Sequence, residues 1–170
     1  MSNAADQKHL LRVYFNLDHE DWHGRPNEGL WTEPVGAPAS VFRLRNSPFF
    51  ARGVSFLDLV RAVPRPDSGQ LEFVEVIGRG GHSTYMLLVP PESRDFGEAW
   101  AKLARLGCTY ESMSIHLSIG HRTLYAVDVP ASSDVHAVHS VLRDGERDGV
   151  WLFQEGHFGH TSVPAGRGHG

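Results

Sequence analysis

From Leu11 to Ile77 the sequence carries strand patterning and no stretch with the 3.6-residue period of a helix, and that constrains the fold more than any motif. Leu11-Arg12-Val13-Tyr14-Phe15-Asn16-Leu17 alternates with period two, which places Leu11, Val13, Phe15 and Leu17 on one face. Asp18 to Asn27 has no period and reads as a polar loop. A second strand is expected over Gly29 to Pro34, where Pro34 stops it. A third is expected over Ser40 to Arg45, with Val41, Phe42 and Leu44 as its core candidates. Asn46-Ser47-Pro48 is a turn signal. Leu57 to Val63 and Leu71 to Ile77 read as the fourth and fifth strands, set between Gly, Pro and Ser punctuation. Five short strands without a helix to cover them point to a small closed barrel of SH3-like type, because closure removes exposed edges.

Gly78-Arg79-Gly80-Gly81 marks a boundary, after which the pattern changes. Thr84 to Val89 reads as a strand ended by Pro90-Pro91. Asp95 then opens a helix, with Glu98 as the partner in a capping box and Phe96, Trp100 and Leu103 as the apolar stripe. Gly107 suits the left-handed residue past its end. Cys108 to Met113 and Thr123 to Val129 read as strands. Ser133 or Asp134 caps a second helix with Val135, Val138, Val141 and Leu142 on one face. A last strand is expected over Val150 to Gln154. The order is βαββαβ, the split βαβ of ferredoxin-like folds. The expected class is therefore α+β, with a small β-barrel over residues 10–80, a ferredoxin-like unit over 81–160 and a flexible, Gly-rich tail over 161–170.

Composition narrows the functional classes. Hydrophobic residues are 41% and charged residues 21%, enough to bury a core, and the net charge is −4. A mildly acidic chain argues against non-specific nucleic-acid binding, which needs a basic footprint. The lone cysteine, Cys108, rules out a disulfide within the chain. The polar start lacks a signal-peptide core, and no apolar run approaches the roughly 20 residues that span a bilayer. The expected address is the cytoplasm, with no membrane partner.

Several stretches taken together resemble a known family. They are Leu30-Trp31-Thr32-Glu33-Pro34, Asn46-Ser47-Pro48-Phe49-Phe50-Ala51-Arg52-Gly53-Val54, Gly81-His82-Ser83-Thr84, Leu106-Gly107-Cys108, Tyr125-Ala126-Val127-Asp128-Val129-Pro130 and Glu155-Gly156-His157-Phe158-Gly159-His160. The set is similar to a bacterial domain-of-unknown-function family, number 4265, from about Val13 to His160. That resemblance implies a bacterial source and a small stand-alone protein. It implies no catalytic residue, cofactor or partner.

Histidine is enriched, 11 in 170 residues. His136 and His139 stand one helical turn apart, His157 and His160 follow the last strand, and His19 and His23 flank Glu20 and Asp21. These are the candidate metal ligands, His136, His139, His157 and His160 above all. None has the full spacing of a zinc motif, and surface histidines are the plainer reading; no cofactor is expected. His82 beside Ser83 suggests an activated nucleophile, but neighbours on a strand face opposite ways. Arg79 in the glycine turn suggests an anion nest without the lysine and helix of a phosphate loop. Phe49 and Phe50 read as a plug for the barrel end rather than a stacking platform. Cys108 reads as a small buried hydrophobe.

Three functional classes stay open. The first is a non-enzymatic interaction module, toxin-neutralising or regulatory, with Trp22 as a contact aromatic. The second is a small-ligand sensor, and the third a histidine-dependent, possibly metal-assisted enzyme. The balance favours a non-enzyme whose partner is a protein or a small molecule. The joint between the halves is where a pocket is expected, with Arg52, Arg79, His82 and His160 as its lining.

Overall fold

The structure is a computed structural model in which residues 9–36 and 40–161 are described. The expected tail, apart from Thr161, lies outside the described residues. The chain is α+β, with two sheets and two helices among those residues. In the first half, β1 (Leu11–Asn16), β2 (Asn27–Val35), β3 (Val41–Leu44), β4 (Leu59–Pro64) and β5 (Leu71–Gly78) pair antiparallel in sequence order. A short parallel pairing of Val13 with Leu71 and Tyr14 with Glu72 returns β5 to β1 and closes the ring. Two register shifts between β4 and β5 supply the bends that closure requires.

Val13, Phe15, Leu30, Phe42, Leu44 and Val60 fill the ring. Phe42 and Leu44 take the core positions of β3, while Val41 is only half-buried. Leu11 lies beyond the pairing with β5 and is exposed, unlike Val13 and Phe15. The fourth strand starts later than expected, at Leu59, because Leu57 sits in the left-handed region at φ 69°. A Cβ on Gly80 would come within 2.9 Å of the Leu57 backbone carbon, so the boundary glycine is needed to pass that turn.

The second half runs β6 (Ser83–Val89), α1 (Phe96–Arg105), β7 (Thr109–Leu117), β8 (Gly120–Val129), α2 (Val135–Arg147) and β9 (Leu152–His157). Its sheet has the order β7-β8-β6-β9, antiparallel throughout. Helix α2 begins as expected, with the Asp134 carboxylate accepting from the backbone of His136 and Ala137. Ser133 instead donates to the Leu106 carbonyl and ties the ends of the two helices together. The capping box expected at α1 does not form. Asp95 stands at the cap, but its ψ of 4° is not the extended conformation from which a side chain reaches back to the helix N–H groups.

Both helices cover one face of the sheet. Leu103, Val138, Leu142 and Trp151 pack there against Tyr85, Leu87, Val127 and Val129. Trp151 donates its indole N–H to the Leu142 carbonyl. A Cβ on Gly145 would fall 2.4 Å from the Trp151 ring, so only glycine admits this packing. Val150 and Trp151 are consumed by that core, and the last strand therefore begins at Leu152 rather than Val150.

Strand alternation turns Thr84, Met86, Leu88, Ala126, Leu124, Leu152 and Gln154 toward the opposite face. The barrel docks on part of that face. Ser55 and Thr84 share a buried 2.6 Å hydrogen bond, and Gly53 N–H donates to the Gly156 carbonyl. Phe50 does not plug the barrel. It is buried outside the barrel core, against Met86, Ile115 and Leu124 of the sheet. The cause is Glu28, whose carboxylate accepts from the backbone N–H groups of Phe49, Phe50 and Ala51 at 2.7, 2.9 and 2.8 Å and so turns that segment toward the sheet.

Candidate functional site

Two places on the sheet concentrate chemistry, and they differ in kind. The first is the joint under the barrel. Asp58, fully buried, accepts from Ser55 N–H, Gly80 N–H and Arg79 at 2.9, 2.9 and 3.0 Å. Arg79 also donates to the Gly53 carbonyl and to His157 Nε2. Burial and the neighbouring Arg79 charge hold His157 below the ordinary imidazole value, against the opposing pull of Asp58 and Glu155. Across the joint, His82 Nδ1 contacts both oxygens of Asp128, at 2.8 and 3.0 Å. Burial raises the Asp128 carboxyl, and the His82 hydrogen bond offsets part of that shift.

Ser83 faces the other way. Its hydroxyl accepts from Gly159 N–H and bonds His160 Nδ1 at 2.6 Å, while His160 Nε2–H donates to the Pro130 carbonyl at 2.9 Å. With Gly159 donating to the serine oxygen, the hydroxyl proton points at His160 and every polar atom in the set has a partner. Ser83 is fully buried. A saturated, inaccessible hydroxyl is a clip for the C-terminal segment and has no path to a substrate.

The four residues expected to line one pocket are thus distributed. Arg79 serves Asp58 and His157, and His82 faces the barrel through Asp128. His160 lies on the helix side of β6, beside a cavity of about 490 Å³ lined by small and mostly polar residues at the start of α2. Arg52 reaches toward β9, 3.5 Å from Gln154 Oε1. His139 packs edge-on against Phe153. Among the described residues, no three His, Cys, Asp or Glu side chains gather as a metal would require. Cys108 is buried and its thiol is pushed up to about 12, which leaves it protonated and unreactive.

The second place is the part of the sheet face that the barrel does not reach. There the face opens into a groove of about 360 Å³, floored by Met86, Leu88 and Leu124 and flanked by Leu152 and Phe153 of β9. Leu117, Ser118 and Ile119 at the β7–β8 hairpin tip form one wall, and Trp22 from the loop after β1 stands at the side. That loop is anchored rather than free. Arg52 pairs with Asp21 at 3.2 Å, Trp22 and His23 pack on Phe50, and Arg25 covers the Phe50 ring at 4.8 Å. Trp22 was the expected contact aromatic; the sheet residues of the groove were not expected. Their signal was present in the sequence as Met86 and Leu88, apolar at alternate positions of a strand whose other alternate positions face the helices.

Comparison with known proteins adds fold and family. No curated protein matches the chain. A solved structure described as "Novel crystal structure of a hypothetical protein from Neisseria gonorrhoeae" has a TM-score of 0.66 to this chain at 17% identity, covering 91% of this chain and 97% of that one. At that identity the likeness is one of fold. The family described as "Domain of unknown function (DUF4265)" matches residues 28–153, which include all but the first residue of β2, then β3 to β8, both helices and the floor of the groove. The chain therefore belongs to the DUF4265 family.

Proposed function

We propose that this protein is a non-enzymatic binding module and that the groove between Trp22, the β7–β8 tip and β9 is its ligand site. The carrying observation is an inversion of burial along one sheet face. The barrel covers the polar end, at Thr84 and Asp128, whereas at the other end Leu88 is half-buried and Leu152 is 60% exposed beside the groove, over a buried floor of Met86 and Leu124. A concave, mostly apolar site of this volume, with a few polar groups beside it, suits a small molecule. The saturated Ser83–His160 clip supports the non-catalytic reading.

The strand ring of the first half and the β7-β8-β6-β9 order of the second support naming them an SH3-like barrel and a ferredoxin-like unit, divided near residues 80 and 81. No helix among the described residues is long and apolar enough to cross a membrane.

The test is titration with anilinonaphthalene sulfonate, a probe that fluoresces in apolar sites. Saturable one-to-one enhancement is expected, lost in the rim double variant Ile119→Asp/Leu152→Glu at unchanged melting temperature. If the native protein gives no saturable signal, the reading fails. A protein-interaction role is supported by one separate observation: Trp22, Ile119 and Leu152 stand 37%, 58% and 60% exposed around the groove, as anchors for a partner would. A stoichiometric complex that the same double variant abolishes would favour it.

A further inference from the structure

We propose that the groove selects a small amphipathic carboxylate, with its apolar body on Leu88, Leu124 and Leu152 and its head group on Arg52. This deepens the binding-module reading and rests on it. Polarity is graded along the groove. The hairpin end is closed by Leu117, Ser118 and Ile119, none of them charged, whereas Gln154 lies at the other end, and Arg52 stands 3.5 Å from its amide oxygen. Arg52 is also 3.2 Å from Asp21, the residue before the Trp22 that walls the groove. Two separate contacts therefore place the guanidinium at the polar end.

Its side chain is 54% exposed and so within reach of a ligand. Both of its side-chain hydrogen bonds leave from Nη2. A guanidinium carries five N–H groups in a planar fork, and a carboxylate is the small anion that matches the fork in a two-point bond. Arg25, stacked on Phe50, adds a positive charge on the neighbouring loop that carries Trp22. An uncharged amphiphile would forgo these donors, and a cationic one would meet two like charges. Asp21 is the internal competitor for Arg52, so its charge weakens the ligand's hold.

The test is calorimetric titration with three amphiphiles of equal chain length, decanoate, decanol and decyltrimethylammonium, each below its micelle-forming concentration. Decanoate is expected to bind one-to-one and roughly tenfold more tightly than decanol, the size of one charge-assisted contact. Arg52→Gln should erase that preference while leaving decanol binding unchanged. Asp21→Asn keeps the oxygen that accepts from Trp22 N–H and removes the competing charge, so it should tighten decanoate binding and leave decanol alone. Equal binding of decanoate and decanol, untouched by either variant, overturns the head-group assignment and leaves the groove reading standing. If no amphiphile binds and the fluorescent probe also fails, the groove reading itself is overturned. The Arg52 and Asp21 side chains are 54% and 32% exposed, and a matching melting temperature confirms that each variant is folded.

Discussion

One face of one sheet is treated in opposite ways at its two ends. Under the barrel, the face presents Thr84 and Asp128, and each meets a partner: Ser55 for the first and His82 for the second. Away from the barrel it presents Leu88, Leu124 and Leu152, and these line a groove. Hydrophobic burial alone would place the barrel over the leucines, since each buried apolar side chain is worth about 1.5–3 kcal/mol. The docking combines the Ser55–Thr84, Gly53–Gly156 and Arg79–His157 hydrogen bonds with the apolar contact of Phe50, which Glu28 aims at Met86 and Leu124; the Asp58 hub holds Ser55 and Arg79 in place for it. The contrast teaches that directional contacts meet at the polar end, while part of the apolar end stays open as the groove that the proposed binding role would use.

The sharpest way to break the contrast is to remove the hub. Asp58→Ala strips the acceptor from Ser55 N–H, Gly80 N–H and Arg79, and should cost about 3 kcal/mol in urea unfolding. Glu28→Gln weakens three backbone anchors without emptying the site. It should cost about 1–2 kcal/mol and loosen Phe50, read as faster amide exchange at residues 49–51.

Acid tests the same end more gently. His157 has a folded pKa below its ordinary 6.5, so the unfolded chain takes up the proton more readily. Its contribution to stability is fully present above the ordinary value and is lost as pH falls through the depressed one. Wild type should therefore lose more stability than His157→Gln between neutral pH and mildly acid pH, measured as the urea midpoint of each. Equal losses would show that burial and the Arg79 charge do not hold the imidazole below its ordinary value.

At the apolar end the prediction is for almost no stability effect. Ile119→Asp/Leu152→Glu should stay within about 0.5 kcal/mol of wild type, because both side chains are exposed, while probe binding disappears. A large stability loss would mean that these residues serve the core and would erase the contrast between the two ends.

Parts of both ends were legible beforehand. Asp58 lies within Phe56-Leu57-Asp58-Leu59-Val60 and Asp128 within Ala126-Val127-Asp128-Val129. A carboxylate inside an apolar run is either exposed or paired, so each marks a place to look for a partner. The sequence reads His82 and Ser83 as neighbours that point opposite ways; the strand starts only at Ser83, yet the two side chains do part, His82 to Asp128 and Ser83 to His160. Glu28 gave no such signal. It sits at the polar start of a strand, and its three donors lie 21 to 23 residues away in a segment whose two phenylalanines suggested a barrel plug. The expected capping role of Asp95 failed for a local reason, a backbone ψ that the sequence pattern does not report.

The sequence by itself determined the change from strands alone to mixed helices and strands near residues 78 to 82, the apolar face of each element and most element boundaries. These follow from short-range rules, because a side chain's direction repeats every two residues in a strand and about every 3.6 in a helix. Only the tertiary structure decided which element lies over which face. Met86 and Leu88 share a face by alternation and both floor the groove, yet Met86 is fully buried beneath Phe50 while Leu88 is only half-buried. That difference arises from contacts between residues 29 to 102 positions apart, such as Ser55 with Thr84 and Arg52 with Gln154, and no periodicity within a single element encodes them.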